Sequence, residues 1–472
     1  MIFSLKELSE LFGKSILERI NGVDGVDGVC VDSRKTKPGD LFIALPGERT
    51  DGRYFIQQAM DNGAVLAIAE EVEGEVNRGR VIIVKSSRDA LRKLAKYNLT
   101  KSAEAKYIGV TGSVGKTTTK ELIHHILSEQ DSLKGKIFAT QKNFNSQIGL
   151  PICASTMPRN AKFGIFEMGM SATGDIKKLL NIIQPSVSVV SKICEAHSEF
   201  FNSVWDIARA KSEIFGTLRG QDAALIPADS PYVDFLRRQA SENGVRNIFT
   251  FGWQDADASV VSYDCSLGFF RIAAKILGEN VEYETHCGGE ALIESSLSAI
   301  LCAHIVSGIS IRELAASVGS FTLPYGRGGI CYLQDRDIVL IEDAYNACQT
   351  SVKNAIRFLA RYANRRKVLV IGDMLELGKN SMHYHEDLSA TVDKFGIDVV
   401  FACGMFAKRL FENLQESKKG IWRENSIELA EKISQEIRDS DCVLVKGSRS
   451  TGIEIITDVI KSPNPIIHKA NS

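Results

Sequence analysis

The 472-residue chain contains no uninterrupted apolar run near the roughly 20 residues that cross a bilayer, so no membrane span is expected. It has no excess of either charge. Lys and Arg number 57 against 58 Asp and Glu, for a net charge of −1. A basic surface for nucleic acid or anionic lipid is therefore not expected. Its ten cysteines are scattered, with no CxxC pair. That spacing argues against structural zinc and against a disulfide framework, and for reduced thiols in a cytoplasmic protein. The opening MIFSLKELSELFGK carries charges inside its apolar periodicity, and reads as an amphipathic helix and not a signal peptide. No low-complexity linker separates the parts of the chain. The C-terminal third lacks GxGxxG, so no dinucleotide site is expected there.

What is present centres on Lys106–Lys120, KYIGVTGSVGKTTTK. An apolar run (Tyr107, Ile108, Val110) leads into Gly112-Ser113-Val114-Gly115-Lys116-Thr117-Thr118. A helical stripe of Leu122, Ile123, Ile126 and Leu127 follows. Strand, glycine loop and helix in that order suit an anion, because loop amides and the helix N-terminus both point at it. Lys116 is placed to reach terminal phosphates, and the Thr117 or Thr118 hydroxyl to hold Mg²⁺. Val110 stands where the general phosphate loop has its first glycine, so the spacing is the shorter G-x-x-G-K-T.

The rest of the chain predicts an α/β protein of three domains, at 1–100, 101–325 and 326–472. In the first, runs at Val29–Val31, Leu41–Leu45, Val65–Ala69 and Val81–Val84 read as strands, with helices near Phe55–Asn62 and Arg88–Leu99. The repeat GVDGVDG at 22–28 reads as a turn. In the second, Phe163–Phe166, Val187–Val190 and Ala223–Ile226 alternate with helical stretches, which argues a parallel sheet with crossover helices. In the third, Ile338–Ile341, Lys367–Ile371, Val399–Ala402 and Cys442–Val445 repeat the pattern and predict a Rossmann-like domain.

Four places stand out beyond the loop. Glu167 ends an apolar strand, as a magnesium ligand or a solvated loop carboxylate. Lys211 falls on the apolar stripe of SVWDIARAKSEIFGTL, with Ile207, Ala208, Ile214 and Phe215. Either its stem packs while its head reaches water, or it is an amine kept reactive enough to take up CO₂ as a carbamate. Ser33 and Arg34, in VDSRKTKPGD, belong to a Pro-Gly turn or to a pocket for an anion. His197, Asn143 and Asn145 are by themselves ordinary polar residues of loops.

Taken together, G-x-x-G-K-T-T, E-M-G, the A-H some 30 residues later and A-K-S-E-I-F resemble the ATP-dependent Mur ligase family. DAYNA at Asp343–Ala347, GDMLELG at Gly372–Gly378 with Ser381 and His385, and VLVKGSRS at Val443–Ser450 extend the resemblance over the whole chain. It implies a central ATPase domain, flanked by an N-terminal domain for a UDP-linked substrate and a C-terminal domain for the incoming amine. It implies ATP on Gly112–Thr118, with Arg327, Asp343 and Asn346 also facing the nucleotide. Two Mg²⁺ sites would draw on Thr117, Glu167, His197 and a carbamylated Lys211. Lys116, Lys211, His197 and Glu167 would carry the chemistry, and Ser33, Arg34, Asn143 and Asn145 the substrate. The C-terminal motifs imply a UDP-muramoyl tripeptide and D-alanyl-D-alanine as substrates; separately, a monomer is expected. The chain departs from the family at Tyr54, Ser146, Ala291, Ser295 and Cys348-Gln349. Two other readings stand beside this one. One is a Mur-type or folylpolyglutamate-type ligase with another acceptor. The other is a nucleotide switch without ligation, although no N-K-x-D base-reading motif follows the loop.

Overall fold

The computed structural model describes residues 1–462 except 15, 17–19, 21, 48–49, 75, 103, 142, 197, 267–268 and 287. His197 thus lies outside the described residues. The chain forms two compact units. One comprises Met1–Gly109, Asp131–Met170 and Gly174–Ser186. The other comprises Val110–Gln130, Ser171–Thr173 and Val187–Ser472.

In the first unit, Ser4 starts the expected amphipathic helix, which runs Leu5–Phe12. The Ser4 Oγ accepts from the Glu7 amide at 3.2 Å, and the Glu7 carboxylate accepts from the Ser4 amide at 2.9 Å. The GVDGVDG repeat is not simply a turn. β1 (Phe3–Ser4) pairs antiparallel with β2 (Gly25–Val26), and Gly28 opens β3 (Gly28–Cys30). Val26 and Val29 are buried, and that burial draws the segment into strands. β4 (Asp40–Ile43), β5 (Leu66–Ala69) and β6 (Val81–Ile83) complete a parallel sheet in the order β3-β4-β5-β6. Alternate residues feed two cores, as the strand period of two requires. Leu41 and Ile43 pack with Leu91 and Leu94 of the helix Ser87–Thr100. Phe42 and Ala44 pack with Ile56 and Ala59. β7 (Lys106–Thr111) starts in this unit, where β9 (Phe163–Glu167) and then β8 (Ile137–Ala139) lie beside it.

β7 ends in the second unit. There the strand order is β15-β14-β13-β12-β11-β10-β7, with β10 (Val187–Val190), β11 (Gly220–Pro227), β12 (Val245–Gly252), β13 (Ala258–Ser266), β14 (Phe269–Ile276) and β15 (Glu279–His286). β10 to β13 run parallel, as expected. β13, β14 and β15 are antiparallel, which the expected all-parallel sheet did not include. The reason is connection length. Leu277 and Gly278 alone join β14 to β15, both at positive φ, whereas a parallel return needs a dozen or more residues. The helix Glu290–Ser307 follows and packs on the helix Lys116–Ser128. It is long and apolar enough to span a membrane by composition, but 67% of it is buried in the fold.

The C-terminal sheet has the order β16-β17-β21-β18-β19-β20, from β16 (Gly329–Leu333), β17 (Ile338–Asp343), β18 (Lys367–Gly372), β19 (Val399–Cys403), β20 (Lys419–Arg423) and β21 (Cys442–Lys446). Only the edge strand β16 is antiparallel. The parallel strands are near-continuous apolar runs, as strands covered on both faces must be. Leu340, Val368, Val370, Val443 and Val445 share a core with Leu429, Ile433 and Ile456.

Candidate functional site

The glycine loop leaves the end of β7 and enters the helix Lys116–Ser128 through Gly115, which is left-handed at φ +87°. Gly112 sits at φ +152°, and a Cβ there would lie 1.9 Å from the Ser191 Oγ. Only glycine fits such an approach. The chain after β10 fixes the loop's path. Ser113 and Val114 amides donate to the Lys192 carbonyl at 2.6 and 3.4 Å. The Ser191 hydroxyl reaches the Thr111 and Val114 carbonyls at 3.1 and 2.7 Å, and the Ser113 hydroxyl donates to the Cys194 carbonyl at 2.9 Å. The helix N-terminus adds its partial positive charge, which favours an anion at the loop.

Two lysines converge on this loop. Lys116 Nζ donates to the Gly112 and Ser113 carbonyls at 2.7 and 3.1 Å. Lys211 Nζ also donates to the Gly112 carbonyl, at 2.7 Å. Lys211 is 1% exposed. Its head does not snorkel to water, because the apolar stripe that carries it faces the interior beside the loop. Arg327 adds a third cation. Its guanidinium lies 3.7 Å from the Tyr345 ring centroid and donates to the Thr117 hydroxyl at 3.2 Å. Gly112, Lys116, Thr117, Lys211 and Arg327 therefore form one cluster.

Asp343 and Asn346 are held differently. The buried Lys446 Nζ donates to the Asp343 carboxylate at 2.6 Å and to the Asn346 carbonyl at 3.1 Å. Ser295, on the helix Glu290–Ser307, comes within 3.7 Å of a Cβ placed on Gly115, so it borders the loop.

The first unit holds the remaining candidates. Glu167, 2% exposed at the end of β9, accepts from the Asn145 side-chain amide at 2.7 Å. The Glu167 amide donates to the Thr140 hydroxyl at 3.0 Å. It is thus an oriented, buried carboxylate and not a solvated loop residue. Asn143 is exposed beside it in sequence, its carbonyl accepting from the Asn145 amide at 2.8 Å. The polar loop of Ser33 and Arg34 contains a short 3-10 turn, Ser33–Lys35, capped by Asp32. Arg34 is exposed and forks onto the Asp32 carboxylate at 2.9 and 3.0 Å, which holds that carboxyl well below its usual range. Ser33 is buried and donates to Gln58 at 2.6 Å. Ser33 and Arg34 therefore point apart.

Sequence reasoning passed over Lys446, Ser191, Tyr345 and Thr140. Lys446 had a readable signal, since a lysine closing the apolar strand of VLVKGSRS is placed like Glu167. The other three have roles set by tertiary packing alone.

Three stretches of the chain match the Mur ligase family. Residues 25–98 match its catalytic domain, 110–303 the Mur ligase middle domain, and 330–449 the Mur ligase glutamate ligase domain. The chain belongs to the Mur ligase family, and has its three-domain α/β fold. Among its relatives, the UDP-N-acetylmuramoyl-tripeptide--D-alanyl-D-alanine ligase of Rickettsia prowazekii is 33% identical over 470 residues, covering 97% of this chain and 99% of that one. The crystal structure of MurF from Acinetobacter baumannii superposes with a TM-score of 0.83 at 26% identity, covering 95% and 98%. MurF from Thermotoga maritima, solved with ADP, gives 0.79 at 26% identity, covering 92% and 97%.

Proposed function

We propose that this chain is the ATP-dependent ligase that joins D-alanyl-D-alanine to UDP-N-acetylmuramoyl-tripeptide in peptidoglycan precursor synthesis, an activity of class 6.3.2.10. The full-length similarity to ligases of that name supports the assignment. The structural observation that carries it is the glycine loop with two cations, Lys116 and Arg327, converging on Gly112–Thr117, and with Lys211 buried beside it.

The terminal carboxylate of the tripeptide is a poor electrophile. Transfer of the γ-phosphoryl group of ATP gives an acyl phosphate, which the amine of D-alanyl-D-alanine attacks, and phosphate leaves from the tetrahedral intermediate. Gly112–Thr118 hold the triphosphate by their amides, and Lys116 exchanges its loop carbonyls for phosphate oxygens. Arg327 approaches from the hinge, neutralising charge that grows during transfer. Asp343 and Asn346, set by Lys446, face the nucleotide from the third domain. Thr117, Glu167, His197 and Lys211 are the groups this reading gives to two magnesium ions. Glu167 fits such a role, being buried, oriented by Asn145 and carboxylate in character. When bound, magnesium neutralises and orients the phosphates. Lys211, buried with its Nζ at the Gly112 carbonyl, would serve as a carbamate. Ser33, Arg34, Asn143 and Asn145 belong to the UDP-substrate side. Division into domains at 1–100, 101–325 and 326–472, a monomeric state and a cytoplasmic location complete the reading.

The test is ADP release on mixing enzyme, MgATP, the UDP-muramoyl tripeptide and D-alanyl-D-alanine. Release should require both acceptor and tripeptide. Release that ignores either one overturns the proposal. A panel of amine acceptors distinguishes this ligase from its Mur-type and folylpolyglutamate-type relatives.

A further inference from the structure

Cys194, Glu195 and Cys348 have no part in the chemistry above, yet their side chains meet. The two thiol sulfurs lie 3.7 Å apart, and one ligand atom from each of the three residues falls within 4.8 Å of the others. All three are more than nine-tenths buried, at 6%, 8% and 4% exposed. Glu195 has no cationic partner among the described residues. Burying a carboxylate without a counter-charge is costly. Its oxygens are aimed by Thr350, whose amide and hydroxyl donate to them at 2.5 and 2.8 Å. Cys348 caps the helix Gln349–Leu359, and its sulfur accepts from the Ser351 amide. A helix N-terminus favours the thiolate form that metals bind.

We propose that Cys194, Glu195 and Cys348 form a binding site for a thiophilic divalent cation of the zinc type. Two thiolates on a tetrahedral ion at about 2.3 Å stand about 3.8 Å from each other, which is the separation seen here. Binding releases both thiol protons to solvent and leaves the cluster with one negative charge. The carboxylate supplies the third ligand, and Thr350 orients it as outer-shell donors do. One tetrahedral position stays open for water. The cysteines are 154 residues apart, so no local spacing announces the site. The cation would tie the chain after β10, which shapes the glycine loop, to the start of the helix after DAYNA.

The test uses the whole protein with thiols reduced, no nucleotide, and magnesium in excess. Cobalt(II) should bind at one ion per chain and show sulfur-to-cobalt charge-transfer absorption, and zinc should displace it. Glu195→Gln should weaken cobalt binding at least about tenfold, and Cys348→Ser should remove the charge-transfer band. Absence of the band in the wild-type protein overturns the proposal, as does its persistence in Cys348→Ser. So does a pair recovered as a disulfide that binds no metal after reduction. The wild-type spectrum decides the matter even where a variant fails to fold. Because no nucleotide is present, the result is independent of the ligase reading.

Discussion

Gly112 is the residue with least room for change. A methyl group there meets the Ser191 Oγ at 1.9 Å, and its φ of +152° disfavours any side chain. Gly112→Ala should displace the loop by a good fraction of an ångström and lower kcat/KM for ATP by about a hundredfold. Far-UV circular dichroism should stay unchanged, which steady-state kinetics beside a spectrum will check. Lys211 tests a different idea. Lys211→Ala should lower turnover by at least about a hundredfold, and small carboxylates should restore part of it. Full activity without rescue would remove the carbamate from the mechanism. Helical periodicity put Lys211 on an apolar stripe but left open whether its head reached water, and the structure buries it. Ser191 was not legible, because nothing in its own neighbourhood says that a glycine from 79 residues earlier will press against its hydroxyl. Serines are common, and only packing gave this one a role.

Among the elements, strands were the most readable. Val187–Val190 was expected and found without change, and the ends of others moved by one to three residues. A buried parallel strand needs only a run of apolar residues between turn formers, and its composition states that. The antiparallel Ala258–His286 segment was missed because its alternating residues, exposed on one face, leave little apolar signal. The short helix Ser381–Glu386 shows what motif reading leaves out. Its His385 was noted only as part of a pattern. In the structure the ring is fully buried, accepting from the Met374 amide at 2.9 Å and donating to the Ser381 carbonyl at 2.6 Å. Accepting at Nε2 needs the neutral ring, whereas the Nδ1–H donates in either protonation state. Burial lowers its pKa below the ordinary 6.5. The unfolded chain therefore binds the proton more readily. The stabilisation is complete above the unfolded pKa and is lost as pH falls through 6.5 towards the folded value. Burial also lowers His124, with the same sign. Melting temperature should thus drop as pH goes from 7 to 5.5, and less steeply in His385→Gln. Equal slopes in the two proteins would show that His385 is not the group being titrated.

At the scale of the whole molecule, three sheets of four or more strands divide the work, and the chain order of the motifs already gave that division. What the order could not give was which side chains complete a cluster from far away in sequence. Lys446 on Asp343, Arg327 on Thr117 and Thr350 on Glu195 each span more than a hundred residues. The phosphate loop is the case with the widest consequence. Five hydrogen bonds with the chain after β10 hold the loop before any anion arrives. Its ordering entropy is met during folding, and so is not charged again at each encounter. Nucleotide association should then proceed in a single collision-limited step. In stopped-flow mixing the observed rate should rise linearly with ATP concentration and never level off. A plateau would mean that the loop must first rearrange, and that this scaffold is looser than its bonds imply.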